Sequence, residues 1–557
     1  MEGDSFLDTS IDDLLPILIS KFFLSLEHIV FGVFVIVTVG ILRNEGFKLY
    51  LNRLWAVFIE IPGVKDVLAM LVKRQVKAFV KETADKMGDD FIRGKKIIPI
   101  PEKGLSEEEL MADLEKLKKA DTDPHSGTLF AYSYHSEGDK LGVIKKFYDQ
   151  FEDKLPVAPD KEKVVQAFFT AFMNENALNP LVFPSLRRFE VETVAMAADM
   201  LHGDANVVGS VTSGGTESIL CAIKTYRDRA RNLYPYITQP EMVAPATIHP
   251  AFMKAAGYFD VKIVTVPLTK DYQPDLAQYE MCINKNTILL LASACEYTHG
   301  IVDPVEEIAD IASKYHLPLH VDACFGGFIL PWVEKLGYEV PVFDFRIKAV
   351  TSMSADIHKY GLGMKGASVV LYRNSDIRKY QVFAYTKWVG GLFGSPGVTG
   401  TRPGGIMAAS WAILKCMGQD GYLDMARKLM AVTNYLKREI NAMEDLQVLG
   451  TPHCAAFAVG STNPKVDVFV LADLMEGKGW KLERAQKCIH FSILPAHTIE
   501  STDRMLDDLR SCIAAAKMDP SLSGKGSAAI YGMAGKLPNT ALLDEFVAQF
   551  FNEVYSL

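Results

Sequence analysis

The sequence predicts an α/β fold: a mainly parallel seven-stranded sheet with helices on both faces, followed by a smaller C-terminal α/β domain. Three observations predict it. Seven short apolar runs fall at 207–212, 242–245, 262–266, 287–292, 319–321, 349–353 and 368–371, several of them bounded by Gly, Pro or Asp. Helical patterns lie between some of these runs, at 218–231 and 305–315. After Ile406 the pattern changes to two helices, 407–417 and 422–443, and then to short strands near Phe457 and over 489–493. The expected division is therefore 1–60, 61–160 (helical or extended), a large domain over 161–405 and a small domain over 406–557.

Taken in chain order, the first informative stretch is 22–42, apolar except for Ser25, Glu27, His28 and Thr38. Its unbroken apolar core is short against the roughly 20 residues that span a bilayer, so a core helix or a surface-lying helix is the alternative to a membrane span. Flanking charge favours the span. Glu2, Asp4, Asp8, Asp12 and Asp13 precede it, and Arg43, Lys48 and Arg53 follow it, with Lys21 against the trend. The positive-inside rule then puts the C-terminal side in the cytosol. There is no basic n-region or small-residue cleavage site of a signal peptide. The expectation is a single-pass anchor with a cytosolic body. Residues 48–86 alternate apolar and basic side chains, which suits either an amphipathic helix on the bilayer surface or a solvated helix face. Ser106 and Glu109 have the spacing of a capping box, to which no chemistry attaches.

Composition narrows the class. Hydrophobic content of 49% with 23% charged residues describes a globular chain, and a net charge of −9 removes any electrostatic case for nucleic acid. The eight cysteines form no Cys-x-x-Cys pair and are scattered through apolar segments, as reduced, packed thiols are. No metal site is expected.

The chemistry lies where strands end. The run 207–212 leads into Ser213-Gly214-Gly215-Thr216-Glu217-Ser218, a Gly-rich turn that opens a helix and offers bare N–H groups and a positive dipole end to a phosphate. Leu319-His320-Val321 delivers Asp322. The strand 348–354 leads to Ser354-Ala355-Asp356-Ile357-His358-Lys359, whose lysine is placed to be a Schiff-base amine on a rigid scaffold. An acid for a ring nitrogen, an amine for an imine and a nest for a phosphate are the three holds of a pyridoxal 5′-phosphate enzyme. Ligands in such sheets sit at the carboxyl ends of strands, as these three do.

These motifs, with Thr401-Arg402-Pro403-Gly404-Gly405 and Ala529-Ile530-Tyr531-Gly532-Met533-Ala534, resemble the pyridoxal-phosphate-dependent sphingosine-1-phosphate lyases. The likeness runs from about Ser126 to the C-terminus, and an N-terminal anchor suits the same family. The first three motifs alone would equally suit the group II amino-acid decarboxylases. The resemblance implies a fold-type-I enzyme, an endoplasmic reticulum membrane, a homodimer with sites between subunits, and a phosphorylated sphingoid base as substrate. It implies cofactor contacts from Ser213, Gly214, Gly215, Thr216, His249, Asp322, Ser354, His358, Lys359 and Arg402, the arginine coming from the partner subunit. His249 would stack on the ring, although a strand-end His is also a common helix cap or packed side chain. Catalysis would involve Lys359, Asp322, His249, Tyr134, Lys365 and His299, with Tyr132 a rival for Tyr134. Asn176, Asn179, Tyr134 and Lys365 would face the substrate.

This chain also departs from the pattern. The family's Asn-x-Leu-His-Pro is Asn176-Ala177-Leu178-Asn179-Pro180, so an active-site His is replaced by Asn179. After the lysine stands Tyr360-Gly361-Leu362-Gly363-Met364-Lys365-Gly366 in place of Tyr-Gly-Tyr-Ala-Pro-Lys-Gly, and a tyrosine of the Gly-Gly loop is Phe393. Asn keeps a hydrogen bond but not the positive charge. The expected reaction is retro-aldol cleavage of the C2–C3 bond to a fatty aldehyde and phosphoethanolamine, with Lys359, His299 or a tyrosine as base for the C3 hydroxyl. Amino-acid decarboxylation, with Arg402 holding the α-carboxylate, is one alternative; a membrane-tethered scaffold of weak activity is the other.

Overall fold

The computed structural model describes residues 184–519 and 541–556, with isolated positions within 64–78, 165–178 and 521–526. Residues 113–529 form one compact unit, and 1–112 with 530–557 form another. The segment 22–42, most of 48–86, the pair Ser106 and Glu109, and the motif 529–534 lie outside the described residues. Among the described residues no helix is long and apolar enough to cross a membrane.

Among the described residues of the larger unit the first continuous elements are helix α1 (Pro184–Met200) and strand β1 (Val208–Thr212), and α2 (Gly215–Leu233) starts three residues later. Next come β2 (Glu241–Pro245), α3 (Ala251–Phe259), β3 (Lys262–Val266), α4 (Leu276–Met281) and β4 (Thr287–Ser293). Then follow α5 (Val305–Lys314), β5 (Leu319–Asp322), α6 (Leu330–Lys335), β6 (Val350–Ala355) and β7 (Ser368–Tyr372). The seven strands form one sheet in the order β1-β7-β6-β5-β4-β2-β3. β3, β2, β4, β5 and β6 run parallel, and β7 is antiparallel to both β6 and β1. Every residue of β4 is buried, as a strand covered on both faces requires, and its sequence is an unbroken apolar run between Thr287 and Ser293. Helix α5 turns Val305, Ile308, Ala309 and Ala312 inward, a stripe at helical spacing. Helix α4 begins at Asp275, whose carboxylate accepts from the N–H groups of Ala277 and Gln278.

Beyond the sheet lie a short helix α7 (Ser375–Arg378) and a hairpin, β8 (Phe383–Trp388) with β9 (Gly391–Ser395). All six residues of β8 are exposed. Helix α8 (Gly404–Asn441) joins the two helices expected over 407–417 and 422–443 into one element, broken only at Gly418, where φ is 57°. A four-stranded antiparallel sheet follows, β10 (Leu446–Val448), β11 (Ala456–Ser461), β12 (Glu483–Ala485) and β13 (Cys488–Ser492), in the order β10-β11-β13-β12. Helices α9 (Val468–Gly477) and α10 (Ile499–Met518) accompany it. In the second unit helix α11 spans Ala541–Val554.

Three strands of the large sheet extend past their apolar runs. β4 reaches Ser293, β5 reaches Asp322 and β6 reaches Ala355, because Ser293 pairs with Asp322 and Asp322 with Ser354 in the ladder. Backbone hydrogen bonding carries the strand on after apolar patterning stops. The polar ends so produced form the floor of the site.

Candidate active site

The ends of β1, β5 and β6 and the turn after β2 converge on a cavity of about 270 Å³ lined by Ser213, Gly214, Gly215, Thr216, His249, Asp322, Asp356, His358 and Lys359. A second cavity of about 200 Å³ shares His249, Asp322, Cys324 and Lys359 and extends to Thr247, Tyr297, Phe325 and Glu483. The amine, the acid and the Gly-rich turn thus surround one space.

Helix α2 has no side chain capping its N-terminus, so its first N–H groups face the cavity without an intrahelical acceptor. Gly214 stands at φ 147°, ψ 170°, a conformation open to glycine. A Cβ on Gly215 would lie 2.8 Å from Asp356 Oδ2 and 2.9 Å from Cys324 Sγ. Glu217 closes the turn by accepting from the Ser213 N–H at 2.7 Å. Lys359 Nζ lies 3.0 Å from Asp356 Oδ2 and 5.7 Å from the centre of the Phe325 ring. Asp322 Oδ1 accepts from the Cys324 N–H and from Ser354 Oγ, each at 3.0 Å. Burial pushes the Asp322 pKa up, but the nearby His249 and the Cys324 hydrogen bonds outweigh it, and the net shift is downward. His249 Nδ1 accepts from the Ala251 N–H at 3.1 Å, burial lowers its pKa, and its ring lines the cavity.

Other expected residues stand differently. Ser354, expected to touch the cofactor, is fully buried behind Asp322 and lines neither cavity, because β6 extends to Ala355 and the pleat turns Ser354 toward the acid. His358 donates Nδ1–H to the Ala367 carbonyl at 2.7 Å, burial lowers its pKa, and it lines the cavity beside the turn. His299 lines neither cavity: it sits against Glu296, with Nδ1 at 3.1 Å and its ring centroid 4.3 Å from that of Tyr272. Tyr297, two residues earlier, occupies the cavity wall and donates to Glu483. Arg402 is held within its own chain, bound by Glu190 at 2.6 and 3.0 Å and by the Ala177 carbonyl at 3.1 Å. Asn176 props up the same corner, its Oδ1 accepting from the Leu178 and Arg402 N–H groups. Lys365 donates to the His358 carbonyl at 3.1 Å; burial, with the charge of Lys359 added, pushes its pKa down to about 8. Tyr134, Tyr132 and Asn179 lie outside the described residues.

Two residues of the site escaped sequence reasoning. Asp356 stands three positions before the lysine inside the same motif, so its spacing on one turn was the available signal. Glu483 comes from β12 of the other sheet, and nothing local marks it.

Residues 141–459 match the pyridoxal-dependent decarboxylase conserved domain. Over 463 residues, 81% of each chain, the sequence is 39% identical to a sphingosine-1-phosphate lyase of Oryza sativa subsp. japonica. It is 37% identical to sphingosine-1-phosphate lyase 1 of Rattus norvegicus over 91% of this chain and 84% of that one. The chain belongs to the sphingosine-1-phosphate lyase family. Among solved structures, the sphingosine-1-phosphate lyase of Burkholderia pseudomallei matches with a TM-score of 0.69 and 34% identity, covering 79% of this chain and 97% of that one. A glutamate decarboxylase of Lactobacillus brevis matches at 0.62 with 19% identity, a likeness of fold alone. The lyase family's cofactor is pyridoxal 5′-phosphate, and the residues present here fit it. An uncapped helix N-terminus meets a glycine with no room for a side chain, and an amine, a carboxylate and an imidazole face share the adjoining wall.

Proposed function

We propose that this chain cleaves the C2–C3 bond of sphingosine 1-phosphate and related phosphorylated sphingoid bases, releasing a fatty aldehyde and phosphoethanolamine. The observation that carries the reading is the closure of Lys359, Asp322 and the Gly214–Gly215 turn around one cavity in a chain of this lyase family. Pyridoxal phosphate, when bound, supplies an electron sink for the pair left at C2 as the bond breaks. These cavity residues would hold it: Lys359 would carry the cofactor, Asp322 would keep the ring nitrogen protonated, His249 would face the ring and the first turn of α2 would take the phosphate. The proton of the C3 hydroxyl goes to a base on the second cavity. Lys359 and Tyr297 line that cavity, and His299 does not. Tyr297 is half-buried beside Phe325 and donates to Glu483, so it can take that proton only by passing its own phenol proton to the Glu483 carboxylate. Lys365, with Asn176 and the neighbouring Asn179, belongs to the substrate side in this reading, as does Tyr134.

Residues 22–42 anchor the chain in the endoplasmic reticulum membrane with the catalytic body in the cytosol, and two copies form a homodimer. The apolar run and the basic residues after it support the anchor, and tethering raises the local concentration of a lipid substrate. Decarboxylation is disfavoured by Arg402, since the cation it would need for an α-carboxylate is already taken by Glu190.

The test is to incubate the cofactor-loaded protein with dihydrosphingosine phosphate and assay aldehyde, beside a panel of amino acids assayed for carbon dioxide. Aldehyde is expected from the lipid and no gas from the amino acids. A protein with the visible absorbance of bound cofactor that yields no aldehyde would reject the proposal.

A further inference from the structure

Behind Asp322, on the side away from the cavity, stands a row of buried side chains that the reaction itself does not use. Ser354 Oγ donates to Asp322 Oδ1 at 3.0 Å, and that is its one proton. His320 Nε2 lies 3.4 Å from the same Oγ, and His320 Nδ1 lies 2.8 Å from Ser352 Oγ. Tyr226, on α2, points its phenol O–H between Ser352 Oγ at 2.8 Å and Thr351 Oγ1 at 2.6 Å, the threonine's own hydrogen going to the Leu319 carbonyl. Tyr226, His320, Ser352 and Ser354 are each at most 1% exposed, so no solvent can reorder their protons.

The proton positions follow by elimination. Ser354 has given its hydrogen to Asp322, so it can only accept from His320 Nε2, which must carry N–H. A ring with its one proton on Nε2 has a bare Nδ1, which accepts from Ser352 Oγ, and Ser352 in turn accepts from the Tyr226 hydroxyl that it shares with Thr351. Burial pushes the His320 pKa down to about 4, which agrees with a single proton on the ring.

We propose that His320 is a positioning residue for the cofactor-holding acid. As the Nε2–H tautomer it completes a one-way row of donors, Tyr226 to Ser352 to His320 to Ser354, that ends on Asp322 Oδ1. The row, with the Cys324 N–H, commits Oδ1 and leaves Oδ2 for the ring nitrogen. It also favours the anion, since every group behind the carboxylate donates toward it. Because Tyr226 rides on α2, the helix whose first turn lines the cavity at Gly214 also steadies the acid. One element thus ties two of the three holds together. The role given to Asp322 rests on the proposed function, but the proton order does not.

The test separates the two. In cofactor-free protein labelled with ¹⁵N-histidine, His320 is assigned by the resonance missing in His320→Gln. Its Nδ1 is expected to show the shift of an unprotonated nitrogen and its Nε2 that of an N–H, unchanged between about pH 6 and pH 8. An Nδ1–H tautomer, or a ring that titrates in that range, overturns the proposal. In loaded protein, Ser354→Ala is expected to lower kcat roughly tenfold or more with KM little changed, from the loss of one hydrogen bond to a charged group. Tyr226→Phe, at the far end, should lower kcat less, and His320→Gln, which keeps an N–H toward Ser354, less than His320→Leu. The visible band of bound cofactor should shift in the same order. Equal effects at all three positions, or an unmoved band in Ser354→Ala, would show a merely structural row. Should the tautomer hold while the protein makes no aldehyde, the proposed reaction fails and the row stands.

Discussion

Gly215→Ala isolates the contribution of one missing side chain to the phosphate cradle. The added Cβ would stand 2.8 and 2.9 Å from the two carboxylate oxygens of Asp356 and 2.9 Å from Cys324 Sγ. None of these neighbours can easily retreat. Asp356 is 2% exposed and pairs with Lys359, while the backbone of Cys324 is tied to Asp322. Inserting a methyl into such a packed place costs about 1–3 kcal/mol. Relief has to come from the first turn of α2 moving outward, and that turn carries the N–H groups of the cradle. The variant should therefore melt lower and bind pyridoxal phosphate more weakly, by about tenfold for each 1.4 kcal/mol. Gly214→Ala is the comparison. Its Cβ would meet only His358 Cε1 at 3.6 Å, so its cost is backbone strain at φ 147°. Cys324→Ala removes one of the three contacts at position 215 and should therefore couple favourably to Gly215→Ala, by about 0.5 kcal/mol or more, and not to Gly214→Ala. Wild-type melting and cofactor affinity in Gly215→Ala, or equal coupling at both glycines, would refute the packing argument.

Arg402→Ala breaks a mostly shielded pair, leaving Glu190 facing a void, and is expected to cost about 3–5 kcal/mol in thermal unfolding; Arg402→Lys, which keeps the charge but not the fork, should cost less. Asp303 is fully buried, and burial pushes its pKa up to about 8. A raised carboxyl contributes stability that is complete below its unfolded pKa near 4 and is lost as pH rises through 8, at up to about 1.4 kcal/mol per pH unit. Asp303→Asn should flatten the fall in stability between those values, and an unchanged slope in pH-dependent melting would count against the assignment.

The legible parts of the site are those that a sheet places by itself. Asp322 ends a strand, the Gly214 turn directly follows one and Lys359 stands just beyond one, and a doubly wound sheet collects such ends at one edge. The misplacements have local causes that one-dimensional patterns do not carry. His299 follows Tyr297 in a loop, but Glu296 accepts from the N–H groups of Thr298 and His299 and curls that loop, so the tyrosine faces the cavity and the histidine does not. Ser354 is expected as the last residue of its strand; the ladder continues to Ala355, and alternation decides the direction of Ser354. All six residues of β8 are exposed, so no apolar alternation announces that strand. The Arg402–Glu190 pair joins segments far apart in the chain, a contact that only the fold reveals.

The lysine's own turn raises the question of what holds it. Leu362 adopts a left-handed φ of 60°, a conformation that costs a bulky residue about 1–2 kcal/mol and persists only where its surroundings over-determine it. They do so here. The Leu362 N–H reaches the Lys359 carbonyl at 3.0 Å, the Gly363 N–H the Ile357 carbonyl at 2.9 Å, and Tyr422 Oη the Gly361 carbonyl at 2.8 Å. Tyr360 adds a tie to the C-terminal half, its hydroxyl lying 3.1 Å from the Ala455 carbonyl and 3.3 Å from that of Ile493. Ala455 also accepts from the Ile493 N–H, so losing the phenol leaves one carbonyl short of a partner rather than two. Tyr360→Phe should accordingly cost about 1–2 kcal/mol of stability. It should barely change kcat, because the remaining bonds still define where Lys359 points. Melting and aldehyde release measured on the same preparation decide it. If kcat collapses while the melt is unmoved, the turn does not hold itself, and the C-terminal sheet is what aims the lysine.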